Sequence, residues 1–132
     1  MRKIALTIVG TVVLAALGWF LVHKYVGGTL NIVDSTQGLL TAEEQSSLYE
    51  GFRKELYDPG SMQVRRLVRS TTPGIVCGEV NSKDKAGAYS GFIPFSAGLT
   101  GVKAQIAMPP SWAAKQMRDA SRDTQRKLGC KV

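Results

Sequence analysis

The sequence predicts an α+β protein: an N-terminal transmembrane helix followed by a small three- to four-stranded antiparallel sheet flanked by two helices. Three observations predict it. Thr41-Ala42-Glu43-Glu44 is a capping-box pattern that opens a helix with one apolar stripe. Three short segments rich in β-branched and aromatic residues follow, joined by connections too short for crossover helices. After Pro109-Pro110-Ser111 the pattern returns to a helical period that runs to Gly129.

The chain begins with a run free of charge, Ile4 to Val22, long enough to cross a hydrocarbon core of about 30 Å. Arg2 and Lys3 precede it and keep the amino terminus in the cytoplasm, while Trp19 and Tyr25 sit where aromatic residues mark the far interface. Residues 1–25 therefore read as a membrane anchor in the bacterial inner membrane, inserted through residues 4–22 and crossing it once. The competing reading is a signal peptide cleaved after Ala16-Leu17-Gly18, which would release the rest of the chain into the periplasm. Trp19 to Val22 continue the apolar run past that point, which favours an anchor. Either way, residues 26–132 are exported.

Residues 26–40 mix Gly, Thr, Ser, Asn and Asp and read as a linker, leaving 41–132 as the exported domain. In the first helix Leu48, Phe52 and Leu56 recur every fourth position, Gly51 weakens the helix by about 1 kcal/mol relative to Ala, and Asp58-Pro59-Gly60-Ser61 stops it. Strands are expected over Met62–Val68, Ile75–Val80 and Tyr89–Phe95, with a weaker fourth over Val102–Met108. Ser111 is the expected cap of the second helix, with Trp112 its first residue and Ala113, Met117, Ala120, Thr124 and Leu128 its apolar stripe. Gly129 should stop it and place Cys130 just past its end. Cys77 and Cys130 are the only cysteines and both lie in the exported part, so a disulfide between them is expected. The long loop it closes makes it worth about 4 kcal/mol in the chain-entropy model.

The stretch Cys77-Gly78-Glu79-Val80-Asn81-Ser82-Lys83, followed by Gly87-Ala88-Tyr89-Ser90-Gly91-Phe92-Ile93-Pro94-Phe95, resembles a family of short, functionally uncharacterised bacterial envelope proteins. Its members carry Cys-Gly-x-Val-Asn-x-Lys and then Gly-x-Tyr-x-Gly-Phe-x-x-Phe. Leu56 to Ser61 is similar to the family's helix-ending Asp-Pro-x-Ser turn, so the resemblance spans roughly Leu48 to Phe95. It implies a small exported domain and carries no activity. The chain departs from the pattern at Asp84-Lys85-Ala86, where the family turn is richer in Asn and aromatic residues.

The chain has 132 residues with 17 Lys plus Arg against 10 Asp plus Glu. The excess is local: Tyr25 to Asp84 holds six basic and eight acidic residues, Lys85 to Val132 eight basic and two acidic. Two candidate binding surfaces follow. One is aromatic, carried by Tyr89, Phe92 and Phe95; the other is basic, carried by Arg118, Arg122 and Arg126 on the second helix. The basic face suits an acidic envelope protein or an anionic surface. Nucleic acid is not expected, because no aromatic residues interleave the cations and the domain is exported.

Catalytic patterns are sparse. His23 is the sole histidine and lies beside the membrane run, which removes Ser-His-Asp and Cys-His arrangements from the exported part. No metal or cofactor is expected. The residues lean away from an enzyme; a small envelope hydrolase using Glu79 or Asp84 is the alternative, and a subunit of an envelope or secretion assembly a third.

Overall fold

The computed structural model describes residues 29–132, so the expected anchor over residues 4–22 lies outside the described residues. Among the described residues no helix is long and apolar enough to cross a membrane. The order of elements is a 3-10 turn at Ser35–Leu39, helix α1 at Ala42–Glu55, a 3-10 turn at Pro59–Ser61, strands β1 at Gln63–Arg69, β2 at Ile75–Asn81, β3 at Ile93–Gly98 and β4 at Gln105–Ala107, then helix α2 at Lys115–Lys127. The four strands form one antiparallel sheet in the order β1-β2-β3-β4. The α+β class is as expected, with a fourth strand present.

Helix α1 starts where its capping box dictates. Thr41 accepts the Glu44 amide, and the Glu44 carboxylate accepts the Thr41 amide. Leu48 and Phe52 are fully buried, and Phe52 meets Phe95 edge-on with ring centroids 4.9 Å apart. Gly51 is needed for close approach: a Cβ there would lie 2.8 Å from Ile106 Cδ1 and 2.9 Å from the Ala104 carbonyl oxygen. What reads in sequence as a weak point of the helix is the place where it seats on β4.

Alternation along β2 divides the sheet into two unlike faces. Val76 and Val80 join the core with Val64, Leu67, Ile93, Phe95 and the α1 side chains. Cys77 and Glu79 point the other way, toward α2. The disulfide joins Cys77 to Cys130 as expected, with Cα atoms 6.3 Å apart, and ties the end of α2 to the sheet.

Four expectations need correction. The segment 30–40 is part of the domain rather than a linker: Leu30, Ile32 and Leu40 are buried in the core, and Asn31 and Val33 exchange backbone hydrogen bonds with Val64 on the outer edge of β1. Three well-spaced apolar residues outweigh the polar composition around them. Strand β3 begins at Ile93, not Tyr89, because Asn81 Oδ1 accepts the Gly91 amide and Gly91 takes φ 96°, which widens the connection; Tyr89 keeps only an isolated bridge with Lys83.

Helix α2 begins at Lys115, with Ala114 at the cap position and no side-chain cap. Ser111 and Trp112 instead belong to a turn in which the Ala113 amide donates to the Pro110 carbonyl and Ala113 is buried. Finally, the apolar stripe of α2 is not its docking face. Met117, Ala120 and Thr124 are exposed, whereas Gln125 is buried and Ser121 half-buried. The reason is the polar character of the sheet face underneath: Gln125 Nε2 donates to the Gly78 and Phe95 carbonyls at 3.0 and 2.7 Å, and Ser121 Oγ to the Pro94 carbonyl at 3.3 Å. A helix covering backbone carbonyls gains more from donors than from methyl groups.

Candidate functional site: an arginine-rich sheet face

The face of the sheet turned toward α2 gathers charge around one carboxylate. Glu79 on β2 lies directly across from Arg65 on β1, and Arg65 Nε donates to Glu79 Oε2 at 2.7 Å. The Glu79 side chain is only 9% exposed, so its charge requires a partner. The Arg65 guanidinium also lies over the Phe92 ring, 3.7 Å from its centroid, so it contacts ring and carboxylate at once.

Two further arginines converge on the other oxygen. Arg66 approaches Glu79 Oε1 at 3.6 Å and Arg122 of α2 approaches the same atom at 3.7 Å. Arg122 also reaches Asp119 Oδ1 at 3.3 Å, and Asp119 in turn binds Lys115 at 2.6 Å. The Lys115 ammonium first, and Arg122 with it, hold the Asp119 carboxyl below its ordinary range.

A bulge in β1 brings Arg66 here. Register slips between Arg65 and Val68, and Arg66 takes φ 53°, the left-handed region that costs a non-glycine residue about 1–2 kcal/mol. The segment ahead of α1 holds it there. Asp34 accepts the Arg66 amide at 2.7 Å while Thr36 Oγ1 accepts the Leu67 amide at 3.3 Å, so both bulge donors are satisfied. Burial pushes the Asp34 carboxyl up, but hydrogen bonds from Thr36 and the Arg66 amide outweigh it, and the carboxyl sits below its ordinary value.

A second feature lies at the hairpin end of the sheet. An open cleft of about 750 Å³ is floored by Val80 and Ile93 and edged by Tyr57, Lys83, Asp84 and the strongly exposed Trp112. The chain matches no family model, no curated protein and no solved structure.

The structure brings together only some of the residues singled out in the sequence. Phe92 and Arg122 meet around the Arg65–Glu79 pair. Phe95 does not belong to a binding surface, because it is fully buried against Phe52. Tyr89 stands apart, its hydroxyl donating to the Ser61 carbonyl at 3.1 Å and its ring 5.6 Å from the Lys83 ammonium. Arg118 Nε donates to the Ala113 carbonyl and fastens the turn before α2, while exposed Arg126 pairs with Asp123 one turn away.

The two carboxylates considered for hydrolysis do not face each other across a cleft. Glu79 is surrounded by arginines, and Asp84 closes its own turn by accepting the Ala86 and Ala88 amides. Among the described residues no group of three or more His, Cys, Asp or Glu is placed to hold a metal ion. Arg65 and Arg66 escaped the sequence reading. The signal for them was present: two consecutive arginines interrupt the alternation of Val64, Leu67 and Val68, which is how a bulge reads in sequence.

Proposed function

We propose that this is a membrane-anchored protein of the bacterial envelope whose exported domain is a non-enzymatic interaction module for an acidic partner. One observation carries it: Arg65, Arg66 and Arg122 surround the single carboxylate of Glu79 on a face held rigid by the sheet and by the Cys77–Cys130 bridge. Three guanidiniums against one buried carboxylate leave positive charge directed outward, which favours encounter with anionic groups. The charge-free run from Ile4 to Val22 supports an inner-membrane anchor with the domain in the periplasm, and the disulfide suits that oxidising compartment. The resemblance to short exported envelope proteins points the same way.

The test is chemical crosslinking in intact cells, followed by purification of the tagged full chain. Wild type should retain a specific acidic envelope protein, and Arg66→Gln combined with Arg122→Gln should lose it. Retention of the same partner by the double variant would remove the arginine face from the function, and recovery of no specific partner by wild type would overturn the module.

A further inference from the structure

We propose that Arg66 and Arg122 form a binding site for a phosphoryl dianion, with the buried Glu79 carboxylate as the internal counter-ion that orients both guanidiniums. It rests on the interaction-module function proposed above and names the chemistry of what that face takes. The two arginines are treated differently from Arg65. Arg65 makes a short charge-assisted hydrogen bond to Oε2 and stacks on Phe92, so it neutralises Glu79 within the fold. Arg66 and Arg122 approach Oε1 only at 3.6 and 3.7 Å, longer than a hydrogen bond; Arg122 donates from Nη1 to Asp119 Oδ1 at 3.3 Å, and among the described residues nothing accepts from the other guanidinium donors of the two.

Charge and shape select the ligand. Arg65, Arg66, Arg122 and Lys115 stand against Glu79, Asp119 and Asp34, so the site keeps a net positive charge of one. A phosphate monoester carries about −1.5 to −2 at neutral pH, and its tetrahedral oxygens accept from two guanidinium forks at once. A lone carboxylate brings half that charge. The site is also accessible and fixed. The Arg66 side chain is 70% exposed and that of Arg122 40%, whereas their backbones are held by the Asp34 clasp and by the bonds from Gln125 together with the disulfide. An incoming anion therefore meets two preoriented forks while Glu79 stays beneath them.

The experiment follows the arginine Nε–H resonances of the full chain in uncharged detergent during titration with inorganic phosphate at constant ionic strength. Arg66 and Arg122 should shift together along one saturating curve while Arg126 stays still, and acetate at the same concentrations should move neither. Arg66→Gln and Arg122→Gln should each weaken binding about tenfold, the loss expected for removing one fork of charge-assisted bonds. Arg122→Lys, which keeps the charge and removes the fork, should fall between. Arg126→Gln should bind as wild type. Absence of a saturating shift, equal weakening by Arg126→Gln, or shifts seen only in phosphatidylglycerol nanodiscs would each overturn the site. If phosphate fails while the acidic partner is still captured through Arg66 and Arg122, the phosphoryl site falls and the module stands. If phosphate binds and no partner is captured, the module falls and the site stands.

Discussion

Gln125 joins two strands from outside the sheet: its one amide nitrogen lies 3.0 Å from the Gly78 carbonyl oxygen of β2 and 2.7 Å from that of Phe95 on β3. The side chain is buried, so both bonds are made away from competing water. Gln125→Ala leaves two carbonyls under a helix without donors and should cost about 1–3 kcal/mol. Gln125→Leu restores volume without donors and should recover little of that. Thermal unfolding of the two variants checks this; if Gln125→Leu matched wild type, packing rather than hydrogen bonding would hold α2.

Reduction of the Cys77–Cys130 bridge, which spans 53 positions, should lower stability by about 4 kcal/mol in the chain-entropy model. The loss should fall first on α2, whose remaining attachments are few and polar. Hydrogen exchange with and without reductant reads this directly, as faster exchange of the Lys115–Lys127 amides before that of β1 and β2. Uniform acceleration across the domain would show that α2 is no less firmly attached than the sheet.

Gly51→Ala should destabilise the domain although it improves an α-helix. The propensity gain is about 1 kcal/mol. The added Cβ would meet Ile106 Cδ1 at 2.8 Å and the rigid Ala104 carbonyl at 2.9 Å, an overpacking that costs about 1–3 kcal/mol. A net loss of about 1 kcal/mol in urea unfolding is expected from the difference. A gain would mean that β4 yields more easily than its backbone contact implies.

Arg66→Gly should stabilise the fold while weakening the charged face. Glycine relieves a φ of 53° that costs arginine about 1–2 kcal/mol, though it loses part of this to the freer unfolded chain. Asp34→Ala acts in the opposite sense, since it strips the acceptor from the Arg66 amide, and should cost about 1–3 kcal/mol. Thermal unfolding of both variants should give midpoints on opposite sides of wild type.

Acid should loosen the first helix and the bulge clasp together. The Arg69 guanidinium foremost, with the Thr41 amide, holds the Glu44 carboxyl below its ordinary value, and Asp34 is lowered as well. A carboxyl depressed in the folded state contributes stability above its unfolded value and loses it as pH falls through the folded one. Unfolding midpoints should therefore be flat down to about pH 4.5 and decline below it. Glu44→Gln combined with Asp34→Asn should flatten that decline, and an unchanged slope would assign it to other carboxylates.

How much was legible differs from element to element. Helix α1 was readable because Thr41, Glu44, Leu48 and Phe52 follow one another at spacings of three or four residues, so each is set by its near neighbours. The start of α2 was not, because Ser111 has the right chemistry for a cap but the buried Ala113 draws the chain into a turn first. The orientation of α2 was misread for a related reason. An apolar stripe faces the core only when the surface underneath is apolar, and here that surface presents carbonyls and Glu79. The site was half visible: Phe92 and Arg122 stood out as residue types, while Arg65 and Arg66 looked like an exposed strand.

Local pattern was enough to set the α+β class, the start of α1, the positions of β1 and β2 and the pairing of the two cysteines, since each depends on neighbouring residues or on there being two cysteines to pair. Which face of α2 docks, why residues 30–40 belong to the domain, and how three arginines from β1 and α2 come to share one carboxylate were settled by packing. Those relationships join residues dozens of positions apart. Their energies depend on what lies across the contact, and no stretch of chain carries that information alone.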